Sequence, residues 1–212
     1  MIQLKNLVAA FMVIALFAES DSANAEGKLY VEGGVTWTQP GDVGAEFTSE
    51  NVQANWDLSS MLGGKVQIGS DFGKVRVDAK FQYLEGDVDG IDKGVTNVKS
   101  VTNGDGPDAA LGVATLNLYY DFDVNKGAET SFTPYLGFGV GLARGFMQAE
   151  GTLTSILRED HRTSDGAVLA GIAGAFFPIN DNAGITTEYE YLHVDFGGLN
   201  AHSLTLGLRM SF

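Results

Sequence analysis

The side chains of residues 202–212 (HSLTLGLRMSF) alternate without a slip. Leu204, Leu206, Leu208, Met210 and Phe212 share one parity, and Ser203, Thr205, Gly207, Arg209 and Ser211 share the other. Successive strand residues point to opposite faces, so this segment is a strand with an oily side and a wet side. Its length matches the roughly 9–11 residues that a tilted strand needs to cross bilayer hydrocarbon. No segment of the chain supplies the roughly 18 apolar residues of a membrane helix. Any crossing must therefore be made by strands, and only a closed barrel pairs every backbone N–H and C=O in lipid.

The amino-terminal end has the makings of a secretory leader. Lys5 and the α-amine form a positive start, residues 7–18 are apolar without interruption, and Ala23-Asn24-Ala25 is a small-x-small cleavage site. The expected division is residues 1–25 as signal peptide and 26–212 as one barrel domain. The full chain carries a net charge of −14, and residues 26–212 carry −13. That balance argues against nucleic acid as a partner, because phosphates would be repelled. The chain has no cysteine, so no disulfide staples the fold and no thiol chemistry is available.

Alternating blocks separated by Gly, Asp and Asn clusters predict strands at about 28–37, 60–70, 75–83, 111–122, 132–145, 166–177, 184–194 and 202–212. The block at 75–83 is the cleanest, with Val75, Val77, Ala79, Phe81 and Tyr83 against Arg76, Asp78, Lys80 and Gln82. The block at 166–177 is apolar on both faces. The fold class expected is all-β: an eight-stranded antiparallel up-and-down transmembrane β-barrel preceded by a cleaved signal peptide. Links at 38–59, 84–110 and 146–165 are long and those between are short, with one short exception at 195–200. Long loops on one side and tight turns on the other are the pattern of an outer-membrane barrel.

Three segments carry a more specific likeness: 132–145 (FTPYLGFGVGLARG), 184–192 (GITTEYEYL) and the closing strand. With its Thr-Pro-Tyr start, glycine-alternating strand, Tyr-rich seventh strand and terminal Phe, the chain resembles the eight-stranded opacity-type, OmpA-like outer-membrane proteins. Thr205, Gly207, Met210 and Phe212 fit the assembly-signal pattern polar-x-Gly-x-x-apolar-x-aromatic of such barrels. The resemblance implies a cell outer-membrane location. It also implies membrane lipid, lipopolysaccharide and the outer-membrane assembly machinery as partners, with surface antigenicity, adhesion, membrane integrity or weak pore formation as roles.

The wet faces hold Glu32, Lys65, Arg76, Asp78, Lys80, Glu188, Glu190 and Arg209, a near balance of signs. Small barrels are filled by side chains, so these are expected to pair across the lumen as a polar network rather than line a gated ion path. Glu188 and Glu190 as catalytic carboxylates are disfavoured, because cations on other strands can neutralise them. Gly137, Gly139 and Gly141 complete no nucleotide-binding spacing and no helix follows, so they should thin the interior beside large side chains. Asp71-Phe72-Gly73 reads as a turn. Asp87, Asp89 and Asp92 lack the EF-hand order, with Val98 where a bidentate Glu would stand, and read as a solvated acidic loop. His161 sits in a long loop. His193, Asp195 and Ser203 could form a triad at the rim, but a polar histidine at headgroup level accounts for His193 and His202 as well. Trp37, Tyr83, Tyr120, Phe122, Tyr189, Tyr191 and Phe212 are read as interfacial girdles.

No catalytic site, cofactor or metal is expected. The function expected is structural and surface-directed: envelope integrity and display of acidic extracellular loops. A narrow porin-like channel for small solutes or ions is the alternative. A soluble lipocalin-type barrel would need its apolar faces turned inward, and it lacks that family's Gly-x-Trp opening.

Overall fold

A computed structural model describes residues 27–41, 43–47, 52–93, 96–99, 108–122, 132–148, 161–195 and 198–212. The expected signal peptide lies outside the described residues. The strands are β1 (Lys28–Pro40), β2 (Val43–Phe47), β3 (Val52–Leu58), β4 (Met61–Asp71), β5 (Val75–Lys93), β6 (Thr96–Lys99), β7 (Asp108–Asp121), β8 (Thr133–Gln148), β9 (His161–Asn180), β10 (Ala183–Val194) and β11 (Asn200–Ser211). Eight of them form an antiparallel ring, β1-β4-β5-β7-β8-β9-β10-β11, closed where β1 pairs β11 from Tyr30 opposite Ser211 to Pro40 opposite Ala201. Closure removes both sheet edges, which the absence of water in hydrocarbon demands.

The links at 38–59 and 84–110 are not plain loops. β2 pairs β3, β3 pairs the far part of β5 from Ala54 opposite Lys93 to Leu58 opposite Val88, and β6 pairs the same part of β5. β5 pairs β4 only as far as Glu85. Beyond that point its N–H and C=O groups still need partners, and the two link segments supply them. The ring therefore continues past its membrane-sized section as a partial wall at one end, called here the loop end; Lys28 and Phe212 mark the opposite, terminal end.

Among the described residues, the terminal end carries two tight turns, at 72–74 and 181–182. Between β4 and β5, Gly73 takes φ 92° and its N–H donates to Asp71 Oδ1 at 2.7 Å, so Asp71-Phe72-Gly73 is a turn as expected. Glycine thins the wall at close approaches: a Cβ on Gly141 would lie 1.9 Å from the carbonyl oxygen of Ala114, and one on Gly137 would lie 2.6 Å from the Tyr119 ring.

The facing follows the alternation. Val35, Leu62, Val66, Ile68, Phe81, Leu118, Leu136, Phe138, Leu204, Leu206, Leu208 and Met210 are exposed on the outside of the ring. Every aromatic residue assigned to the girdles also points outward: Trp37, Tyr83, Tyr189 and Tyr191 toward the loop end, Tyr120, Phe122 and Phe212 toward the terminal end. Inside, the chain departs from a uniformly polar lumen. The terminal and middle part of the interior is polar and charged, but the loop-end part is an apolar cluster that includes Met61, Leu84, Leu111, Val113, Val168, Ile172, Leu192, Val194 and Leu199.

Candidate functional site

The polar tier is built from alternate residues of seven of the eight ring strands, and β9 adds only the Phe176 ring beside it. Glu32 on β1 is its hub. It accepts from Arg209 Nε at 3.0 Å and Thr186 Oγ1 at 2.9 Å, and Lys65 Nζ lies 3.2 Å away. Lys65 also donates to Glu188 at 2.7 Å, and the second oxygen of Glu188 accepts from Tyr135 OH at 3.1 Å. Lys80 is paired with Glu190. Asp78 has a different setting: Tyr30 OH and Asn117 Nδ2 donate to its two oxygens, each at 2.7 Å.

Toward the terminal end, Arg76 grips Asp121 with two parallel bonds of 2.7 and 2.9 Å. Its guanidinium lies 4.6 Å from the ring centres of both Tyr119 and Tyr135, which meet edge to face. Arg209 lies 4.9 Å from Tyr30 and from Phe176. Planar guanidinium groups suit both the bidentate carboxylate and the aromatic faces. Nearer the loop end the charges give way to hydroxyl pairs, Thr36 with Thr205 and Thr38 with Ser203, each at 2.8 Å.

All eight side chains of the expected polar network, Glu32, Lys65, Arg76, Asp78, Lys80, Glu188, Glu190 and Arg209, lie inside this tier and are buried. Sequence reasoning left out Asp121, the partner of Arg76, and the tyrosines Tyr30, Tyr119 and Tyr135. Asp121 shares the parity of Asn117 and Tyr119, so its facing is legible, but its pairing depends on which strand lies beside it. Counting Asp121, five carboxylates face four cations among the described residues. Such a layer is costly to break, since removing one partner leaves the other charge buried.

Above the charges, the apolar cluster closes the bore. Each of its members is at most 5% exposed. Eight strands leave an interior only wide enough for side chains, and here both tiers fill it.

The remaining sequence motifs separate. His193 faces outward and Ser203 faces inward, so no triad forms; His193 Nδ1 is bonded to Asn200 Oδ1 at 2.8 Å instead of to Asp195. Glu188 and Glu190 each engage a lysine, as above. Asp87, Asp89 and Asp92 fall on the protruding part of β5, and no group of three or more metal-ligating side chains occurs among the described residues. Among the assembly-signal residues, Gly207 and Thr205 face inward while Met210 and Phe212 face outward.

The rim of β10 and β11 at the loop end holds a second polar cluster, on the outer face. Asn200 Oδ1 accepts from Tyr191 OH and is bonded to His193 Nδ1, each at 2.8 Å, while its Nδ2 donates to the Gly198 carbonyl at 3.1 Å. Tyr189 OH and His202 Nδ1 are 2.7 Å apart, and the His202 ring lies 5.2 Å from that of Tyr191.

Comparison with known proteins agrees with this architecture. Residues 7–212 match the family described as outer membrane protein beta-barrel domain. Among solved structures, Neisserial surface protein A (NspA) superposes with a TM-score of 0.59 at 16% identity, covering 87% of this chain and 97% of that one. Ail, the attachment invasion locus protein of Yersinia pestis, superposes with a TM-score of 0.54 at 15% identity, covering 88% and 99%. No curated protein sequence matches the chain. A closed eight-stranded ring with an oily outside, matched over nearly its whole length by one family, makes this chain a member of the outer membrane protein β-barrel domain family, located in the cell outer membrane.

Proposed function

We propose that the barrel is a non-conducting anchor whose working part is its extracellular end, serving surface interaction and envelope integrity rather than solute passage. The observation that carries this reading is the double closure of the bore: a buried layer of ion pairs and, above it, an apolar cluster with no member more than 5% exposed. A channel of this size would need small residues around the full circumference, and Arg76, Lys80 and Arg209 occupy that space instead.

The loop end is the outward one by the rule that long connections of such barrels are extracellular and short turns periplasmic. Its connecting segments, 38–60, 84–110, 146–165 and 195–200, carry fifteen acidic residues against four basic ones. A partner of this surface is therefore neutral or cationic. Ail was solved with the heparin analogue sucrose octasulfate; a polyanion of that kind would be repelled by the loops of this chain. Envelope integrity is the accompanying role proposed for a barrel seated in the membrane. Planar-bilayer recording tests the reading: purified, refolded protein is expected to give no stable unitary conductance. Reproducible channels would transfer the assignment to the porin-like alternative.

A further inference from the structure

The partial wall at the loop end is interrupted above β10 and β11. On one side β8 and β9 stay paired out to Gln148 opposite His161, whereas β10 leaves β9 at Val194 opposite Val168, and Asp195 N–H donates to the Ala167 carbonyl at 2.9 Å. On the other side β11 leaves β1 at Ala201 opposite Pro40, and Gly41 N–H donates to the Asn200 carbonyl at 2.7 Å. Beyond that point the β1–β4 register runs on unchanged into β2–β3, from Thr38 opposite Met61 to Val43 opposite Trp56. The two flanks therefore rise past the short hairpin, from Ala167 to His161 and from Gly41 to Phe47, each by about 20 Å. The notch between them is three strand spacings wide, about 14 Å, the room that two strands fill. Both flanks are open edges. Alternate residues of a strand send N–H and C=O to the same side. With Ala167 turned toward the notch, Asp165, Thr163 and His161 present their groups to it, and Val43, Ala45 and Phe47 follow Gly41 from the other flank. Among the described residues nothing pairs these groups, and neither 161–167 nor 43–47 contains proline, so every N–H is present.

We propose that this notch is a docking site for a foreign polypeptide, which adds a lysine- or arginine-rich β-hairpin to the wall, one strand on the edge of β9 and one on the edge of β2. The proposal rests on the reading of the loop end as the extracellular working surface. Two edges facing each other across two strand widths call for two strands, and an antiparallel pair needs only a tight turn between them. The occupant then repeats above the floor the pairing that β10 and β11 make below it. In strand addition the main-chain bonds supply affinity and the side chains select. Selection here is by charge. The connecting segments of this end carry fifteen acidic residues against four basic ones, and Asp195 is exposed at the floor. A cationic hairpin is attracted to that field, while a second copy of this chain would bring a like-charged end against it.

The probe is a synthetic hairpin peptide of alternating lysine and threonine, closed by a terminal disulfide and added to the full chain refolded in lipid vesicles at physiological salt. Amide hydrogen exchange, read by mass spectrometry, is expected to slow roughly tenfold at 161–166 and 43–47 when the peptide binds, with β10 and β11 unchanged. Thr163→Pro removes a donor from the open edge and leaves the β8 side of the strand intact, so Kd for the peptide should rise roughly tenfold. Methylating the amides along the peptide's outer edges should weaken binding to the parent chain in the same way. A peptide that fails to bind, or binds without slowing exchange in these two segments, overturns the proposal. So does binding unaltered by both Thr163→Pro and methylation, which would reduce the attraction to charge alone and leave the surface-interaction reading standing. Cross-linked dimers of the protein that the peptide displaces would make a second copy the occupant and overturn it as well. If Thr163→Pro loses the heat-modifiable form on gels, the methylated peptide on the parent chain decides the matter.

Discussion

Replacing Glu32 by Leu tests the charged interior at its hub. Glu32 engages two cations and one hydroxyl. On its removal Lys65 retains Glu188 at 2.7 Å, whereas Arg209 loses the one carboxylate it pairs with among the described residues. What remains beside Arg209 is the faces of Tyr30 and Phe176. Ring faces offset part of the loss, by about 0.5–2 kcal/mol. The stranded guanidinium should still cost about 3–5 kcal/mol, the range for a buried pair broken on one side. With a urea slope of about 2 kcal/mol/M, the unfolding midpoint in lipid vesicles falls by about 2 M, read by tryptophan fluorescence and gel mobility. The double variant Glu32→Leu/Arg209→Met removes the stranded charge as well and should recover most of the loss. A Glu32→Leu midpoint equal to that of the parent chain, or a double variant no better than the single, would refute the claim that these charges are enclosed and paired.

Three further outcomes are expected. Leu206→Arg places a charge on the lipid face and lowers stability by about 2–4 kcal/mol near the bilayer midplane, while Leu206→Phe stays within about 0.5 kcal/mol in the same urea titration. Gly141→Ala drives a methyl into the Ala114 carbonyl, so the heat-modifiable form on gels should be lost or much reduced, whereas Gly171→Ala, with open space, should migrate as the parent does. Deleting Phe212 should lower the fraction of protein recovered in outer-membrane fractions, because the terminal aromatic is proposed as part of the assembly signal; full recovery would remove Phe212 from that role.

Facing was readable because a strand repeats every two residues and the medium outside is uniform. A single parity choice for 202–212 sorts all of its side chains, and the same holds at 75–83. Height along the bore was much less legible. The block at 166–177 is apolar on both faces because its inner side, Val168, Ala170 and Ile172, belongs to the apolar tier, while its outer side meets lipid. Two-sided apolarity marks that tier, yet without register nothing says that Leu84, Leu111 and Leu192 join it from other strands. Pairing needs register too: Arg76 and Asp121 are 45 residues apart, and only the β5–β7 pairing that sets Arg76 opposite Tyr119 brings them together. Strands β2, β3 and β6 escaped notice because segments rich in Gly, Asn and Asp carry turn signals even where they pair.

Site-directed spin labelling across the closing strand measures the central claim most directly, because the chain has no cysteine and each introduced one is the only label site. Single cysteines at 203 through 210 are labelled with a nitroxide in lipid vesicles and probed with oxygen and with a water-soluble nickel chelate. Positions 204, 206, 208 and 210 are predicted to be accessible to oxygen and shielded from nickel, with 203, 205, 207 and 209 shielded from both. The opposite phase, or nickel access at every position, would contradict a closed barrel with its oily side in lipid and its charges within.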